Sequence, residues 1–348
     1  MGDCASGYDL TSPIVIYKIR LMKKKSTSKI LPAVLQGKQI AVIGYGSQGR
    51  AQALNLRDSG IVPFVGLRAK SKNREVAAAE GFKVFSPEKA ISQSDIIAIL
   101  IPDHKHKELF DNLSSTKLLG GKALIFAHGM SVAFGLVKPP STCDLILVAP
   151  HGPGVRIREL YRQGKSFTSF WAVQQNHSCQ AFKIAKGYAA AIGCPASNLF
   201  KSTFRNEAIG DIFGEQAVLC GGLTGLLEAG FEMLVKKGFS PETAYLECIY
   251  QLDLIIDLIK KYGPAGMFER ISVTAAYGSL QSKKKLFDKV MSQKMAELYR
   301  EIKDGDFVES LMKENRRGMK DFRKDLKILG KSLLQKTHES LVHKMKSN

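Results

Sequence analysis

Between residues 38 and 197 short apolar runs recur, separated by polar, helix-compatible stretches. The runs at 40–43, 63–67, 83–85, 95–101, 123–127, 144–149 and 170–173 are rich in Ile, Val and Leu and end at polar residues, Gly or Pro. That pattern predicts strands. Strands alternating with helices predict a parallel, doubly wound, Rossmann-like α/β sheet with its ligand beyond the carboxyl ends of the strands. After Ser197 the period changes. Residues 207–237, 241–261 and 284–301 carry helical spacing, and no further strand is expected. The chain thus divides into a basic extension (1–36), a sheet domain (37–197), an all-α domain (198–330) and a basic tail (331–348).

The first strand runs straight into Gly44-Tyr45-Gly46-Ser47-Gln48-Gly49, followed by an Ala-rich helical segment. Strand, Gly-x-Gly-x-x-Gly turn and helix, in that order, are the context of a dinucleotide-binding fingerprint. Gly44 allows the tight turn, Gly46 lets a pyrophosphate approach the backbone, and Gly49 allows close helix–strand packing. The phosphates then meet the unpaired N–H groups and positive dipole end of the helix. NAD enzymes commonly place an acid at the end of the second strand. Here Arg68, Lys70, Ser71 and Lys72 follow that strand, with no acid before Glu75. Such a loop suits a 2′-phosphate by charge-assisted hydrogen bonds, so NADPH is expected.

Composition alters this picture little. The 348 residues are 45% hydrophobic and 24% charged, as in a soluble globular protein. No uninterrupted apolar run has the length of a membrane span. Six cysteines show no Cys-x-x-Cys or metal-site spacing, which fits a reduced, cytoplasmic protein. The first 36 residues lack a secretory leader pattern, and Asp3 and Asp9 argue against an organelle leader. The net charge of +19 is concentrated partly in the tails, with six Lys/Arg between Lys18 and Lys29. Neither tail interleaves aromatics with its charges, so both read as solvated basic tails rather than as a nucleic-acid surface.

In the helical half Asp211 and Glu215 stand four apart, which puts both carboxylates on one helix face. Glu247 lies in a largely apolar stretch, and Ser272 opens Ser272-Val273-Thr274-Ala275-Ala276-Tyr277-Gly278. Carboxylates four apart are usually a solvated face; as ligands they suit a hard ion such as Mg²⁺. With the glycine turn, Phe126-Ala127-His128-Gly129, Ala149-Pro150 leading to Gly152-Pro153-Gly154, and Asp211-Ile212-Phe213-Gly214-Glu215-Gln216, the chain resembles ketol-acid reductoisomerase (acetohydroxyacid isomeroreductase). The resemblance runs from about residue 37 to 325, and the length is that of the short form with one helical domain.

That resemblance implies an NADPH- and Mg²⁺-dependent enzyme of valine and isoleucine biosynthesis. It would isomerise and reduce 2-acetolactate-type ketol acids to 2,3-dihydroxy acids. Asp211 would bridge two Mg²⁺ ions and Glu215 would bind one. Glu247, with Gln251 beside it, would serve the second ion from the partner subunit. Ser272 would hold the substrate carboxylate, and His128 would lie near the nicotinamide. Gly154 would join the cofactor loop. The helical domain is expected to be knotted and to form a homodimer or larger assembly with shared active sites.

Three positions depart from the family pattern, all at the inferred metal and substrate site. His151 stands where a lysine is usual, Gln251 replaces a glutamate, and Ala276 replaces another. The alternative to a full reductoisomerase is therefore a diverged homologue: a reductase of a related 2-keto acid, or an inactive NADPH-binding dimer.

Overall fold

The computed structural model describes residues 32–346; the basic run between Lys18 and Lys29 lies outside the described residues. Eight strands form one sheet: β1 (Ile40–Ile43), β2 (Phe64–Gly66), β3 (Val84–Phe85), β4 (Ile96–Ile99), β5 (Ala123–Phe126), β6 (Asp144–Pro150), β7 (Ser169–Gln175) and β8 (Leu199–Lys201). Their spatial order is β3-β2-β1-β4-β5-β6-β7-β8. Strands β1 to β6 are parallel, with Val42 opposite Val65 on one side and Ala98 on the other. The order reverses between β1 and β4, which opens a crevice at their carboxyl ends.

Period-two alternation decides what each face buries. Ile40 and Val42 point into one core and Ala41 and Ile43 into the other. Every residue of β1, β4 and β5 is buried, as expected of strands covered by helices on both faces.

Two expectations about the sheet need correction. It is not wholly parallel: β7 runs antiparallel to β6, and β8 is parallel to β7. After β6 the helix Gly154–Arg162 packs on the helix Ser47–Asp58, and residues 163–168 return the chain to the carboxyl end of β6. There His151 N donates to Thr168 O at 2.9 Å. An apolar run marks a strand but carries no direction. Strand β8 was not foreseen, because three half-exposed residues give almost no periodic signal.

From Phe204 onward the chain is helical. The first helix, Phe204–Gly214, continues through a π-helical turn, Glu215–Leu219, into Gly221–Lys236. Cys220 N donates to Glu215 O at 2.8 Å, an i to i+5 bond. Gly221 and Gly222 permit this widened turn, since a Cβ at either would overlap the carbonyls of Gln216 and Ala217. A second π turn, Leu246–Tyr250, separates Pro241–Tyr245 from Leu252–Phe268. The segment read as a basic solvated tail is instead largely a helix, Leu333–Lys346. Leu341 is buried with Phe231, Ala244 and Tyr245, and Tyr245 Oη lies 2.7 Å from His338 Nδ1. Its leucines sit among lysines, so composition hid an apolar stripe.

Candidate active site

The glycine turn forms the floor of the crevice. Gly44 has φ +105, which an L side chain rarely adopts, and a Cβ there would strike the Leu100 carbonyl. Gly46 caps the helix Ser47–Asp58 with open space before it. The resulting cleft, about 540 Å³, is lined by Gly44, Tyr45, Gly46, Ser47 and Gln48 on the β1 side. Arg68, Ser71 and Asn73 line it after β2, Ile101 to Asp103 after β4, and His128 after β5. Lys70 is exposed and is not among the lining residues; Gly49 lies behind the turn, in the helix.

Side chains tie these loops together. Asn73 Nδ2 donates to Tyr45 O at 2.7 Å, joining the β2 loop to the glycine turn. Gln48 Nε2 donates to Gly152 O at 2.9 Å, and Gly154 N donates to Ser47 Oγ at 3.0 Å. The loop that carries His151 and Gly154 is therefore bound to the glycine turn. Tyr45 is almost fully buried; its hydroxyl donates to Glu80 Oε2 at 2.6 Å, and Arg50 grips the same carboxylate. The Arg50 contact holds Glu80 below its ordinary value against burial, and the Tyr45 bond assists.

A second cluster lies at the seam with the helical half. His128, Glu207 and Asp211 bring a nitrogen and two carboxylate oxygens within 4.8 Å of one another. His128 Nδ1 is 3.2 Å from Glu207 Oε1 and 3.5 Å from Asp211 Oδ2. Glu207 is buried, and its other oxygen accepts from Gly129 N at 2.6 Å. Burial alone would lower the pKa of His128, but the Glu207 hydrogen bond and charge outweigh it and lift the imidazole to about 9. Asp211 is raised, first by burial, with His128 and His151 opposing. Glu215 is raised by burial and then by the Asp211 charge.

Asp211 and Glu215 remain open to solvent, yet partial burial and neighbouring acids raise both, and such a pair is a donor set suited to a hard cation, which would relieve both costs. His151 faces this group. Its Nδ1 lies 2.9 Å from Thr168 Oγ1, and its ring meets Phe170 edge-on at 4.4 Å.

The remaining residues expected at the site stand elsewhere in the chain. Glu247, Gln251 and Ser272 are exposed, and none shares a hydrogen bond, ion pair or electrostatic coupling with Asp211 or Glu215. The Ser272 hydroxyl caps the helix Val273–Leu286 by accepting from Ala275 N at 3.2 Å.

Sequence reasoning missed Glu207, although a signal existed. Glu207, Asp211 and Glu215 repeat every four residues along one helix face. Asp103 and His106 were also missed, because only the fold places the loop after β4 against His128.

Comparison with known proteins bears on this geometry. Residues 34–197 match the acetohydroxy acid isomeroreductase NADPH-binding domain, and residues 204–347 match the ketol-acid reductoisomerase C-terminal domain. The solved structure of an NADH-preferring ketol-acid reductoisomerase from an uncultured archaeon is 35% identical, with a TM-score of 0.86. The match covers 90% of this chain and 96% of that one. The chain belongs to the ketol-acid reductoisomerase family.

It is thus an oxidoreductase/isomerase with a nicotinamide-cofactor domain. More distant likenesses show the fold alone. A semialdehyde dehydrogenase NAD-binding protein from Cupriavidus necator is 17% identical with a TM-score of 0.59, over 77% of this chain and all of that one. A pyrroline-5-carboxylate reductase from Coxiella burnetii is 14% identical with a TM-score of 0.53, over 77% of this chain and 98% of that one. His128 is common to the two groups of residues, the cleft above the glycine turn and the acidic cluster with Glu207 and Asp211.

Proposed function

We propose that this ketol-acid reductoisomerase uses NADPH and Mg²⁺ to convert 2-acetolactate-type substrates to 2,3-dihydroxy acids, as in valine and isoleucine synthesis. The observation that carries this reading is the cluster of His128, Glu207 and Asp211 at the end of the dinucleotide cleft, with Glu215 one helical turn on from Asp211. Bound Mg²⁺ would supply Lewis-acid polarisation of the substrate oxygens. The chain's own groups have separable tasks. Asp211 and Glu215 would hold the ions. Glu207 holds the His128 ring through Nδ1 and raises its pKa. Ser47, Gln48 and Gly154 join the cofactor floor to the His151 loop.

For the cofactor, Arg68 and Ser71 line the cleft after β2 and favour a 2′-phosphate. The relative from the uncultured archaeon prefers NADH, so the preference here rests on those two residues. Glu247, Gln251 and Ser272 would complete the site of a second copy. Supporting this, the helix Phe204–Lys236 is the one stretch among the described residues long and apolar enough to cross a membrane, yet its amino-terminal half carries Glu207, Asp211 and Glu215. Those acids suit a helix–helix interface, not a lipid one.

Gln251 and His151 support a second reading, a homologue with weakened cation affinity, because one ligand charge is lost and a lysine replaced. Acetolactate-dependent NADPH oxidation followed across a Mg²⁺ titration tests both. Saturable turnover is expected. NADPH binding without turnover at any Mg²⁺ concentration would favour the weakened homologue.

A further inference from the structure

His106 is 2% exposed and opens the helix His106–Leu113, packed edge-on against Phe126 with ring centroids 5.7 Å apart. Its Nε2 lies 3.1 Å from Ile101 O, and its Nδ1 meets the hydroxyl of the fully buried Ser131. A carbonyl oxygen only accepts, so Nε2 carries the proton. Nδ1 then keeps its lone pair and accepts from Ser131 Oγ. Burial lowers the imidazole from its ordinary value, which agrees with this neutral tautomer. The Asp103 carboxylate, 3.9 Å from Nδ1, lies beyond hydrogen-bond reach.

The two partners belong to different walls of one cleft. Ile101 follows β4 and lines the cleft together with Pro102 and Asp103. Ser131 sits in the short helix Met130–Ala133, directly after His128 and Gly129. Gly129 N in turn donates to Glu207, the residue that fixes His128.

We infer that His106 is a positioning residue: a buried clasp that sets the cofactor wall after β4 against the turn that carries His128. It borders the cleft itself but acts through Ile101 and Ser131, and it extends the functional reading above, on which it rests. Without the ring, the buried Ser131 hydroxyl and the partly buried Ile101 carbonyl both lose their partner. The two walls then lose their common reference. The reacting end of the cofactor should feel this most, since rate depends on placement far more steeply than affinity does.

The test compares the unmodified protein with His106→Leu, His106→Gln and Ser131→Ala, each saturated with Mg²⁺. NADPH affinity is measured by calorimetry, turnover with acetolactate by NADPH oxidation, and the nicotinamide environment by emission of bound NADPH. Glutamine offers an N–H to Ile101 O and a carbonyl to the Ser131 hydroxyl, so it should restore the clasp. His106→Leu should lower kcat by at least about tenfold while the NADPH Kd stays within about threefold, and it should change the bound emission. His106→Gln should restore both kcat and emission to within about threefold of the unmodified protein.

Equal behaviour of the leucine and glutamine variants, or a Kd change as large as the kcat change, would overturn the assignment. If His106→Leu does not fold, Ser131→Ala takes its place: lowered kcat at unchanged Kd supports the clasp, and unchanged kcat refutes it. If the unmodified protein binds NADPH but never turns over acetolactate, the functional reading fails. The clasp is then decided by emission alone, with identical emission in all variants counting against it.

Discussion

The sheet domain and the helical half of this chain bury their apolar residues in opposite ways. In the sheet domain β1, β4 and β5 are wholly buried, and two extended cores flank the sheet. In the helical half the buried clusters are small, and only 6% of the most apolar window of Phe204–Lys236 is buried. Phe231 is the one buried residue of Gly221–Lys236, while Leu226 and Met233 are more than half exposed. Apolar surface of that extent costs about 25 cal/mol for each Å² left in water. A domain whose core is completed inside the chain sits beside one that leaves much of its apolar surface exposed. The cluster of His128, Glu207 and Asp211 lies at the seam between them, while Glu247 faces outward.

The largest expected effect falls on that seam. Asp211→Asn should reduce Mg²⁺-dependent turnover by about a thousandfold or more, because the charge facing His128 and Glu215 is gone. NADPH affinity should stay within a few-fold, since the cofactor cleft belongs to the sheet domain. Turnover within a few-fold of normal, beside calorimetric NADPH binding, would show that the cation site lies elsewhere.

Next comes the contrast itself. Leu226→Lys combined with Met233→Lys should convert the assembly to monomers or aggregates in sedimentation velocity, with activity lost. Val62→Lys changes an equally exposed residue of the sheet domain and should leave both unaltered. Identical sedimentation of the two proteins would erase the distinction drawn here.

Within the sheet domain, Arg68→Asp should weaken NADPH binding by at least about tenfold by turning attraction into repulsion. NADH affinity should change much less. Equal affinity for both cofactors in the unmodified protein would remove Arg68 as the selecting residue. Gln251→Glu tests the other half, because it returns a charge to the outward-facing set. It should lower the Mg²⁺ concentration for half-maximal activity several-fold, more so together with His151→Lys if the two act on one site. Titrations that superimpose would mean that the amide serves as well as the carboxylate.

The smallest effect concerns the Tyr45–Glu80–Arg50 contact under the glycine turn. Glu80 is held below its ordinary value, so its contribution is present above the unfolded carboxylate value and fades as pH falls through the depressed folded one. Arg50 is half exposed, so Glu80→Gln should cost about 0.5–1 kcal/mol. Thermal melts should differ by a few degrees at pH 7 and converge only once pH has fallen through the depressed folded value of Glu80. A difference that persists unchanged to the acid end of the titration would assign the cost to packing, not charge.

Much of this molecule was legible in order along the chain. The seven apolar runs became strands within a residue or two, because a strand covered on both faces must be apolar throughout and short. The glycine turn was readable because its spacing records a backbone requirement: Gly44 adopts a φ that other residues avoid. The spacing of Asp211 and Glu215 foretold a shared face, and could also have foretold Glu207 four residues earlier.

What the sequence did not carry was direction and proximity between distant segments. The reversal at β7 depends on where the helix Gly154–Arg162 packs, and an apolar run reads the same from either end. The π turns that hold Glu215 and Glu247 depend on how one helical turn widens against its neighbours. The amphipathic stripe of Leu333–Lys346 became visible only when Leu341 met Phe231 and Tyr245. His106 and Asp103 acquired meaning because β4 and β5 end side by side, and Glu207 because the helix Phe204–Gly214 packs on Met130–Ala133, which brings residues about a hundred positions apart into one cluster. Local periodicity and backbone limits are written residue by residue. The charge environment of His128 is a property of the assembled loops, and only tertiary structure decides it.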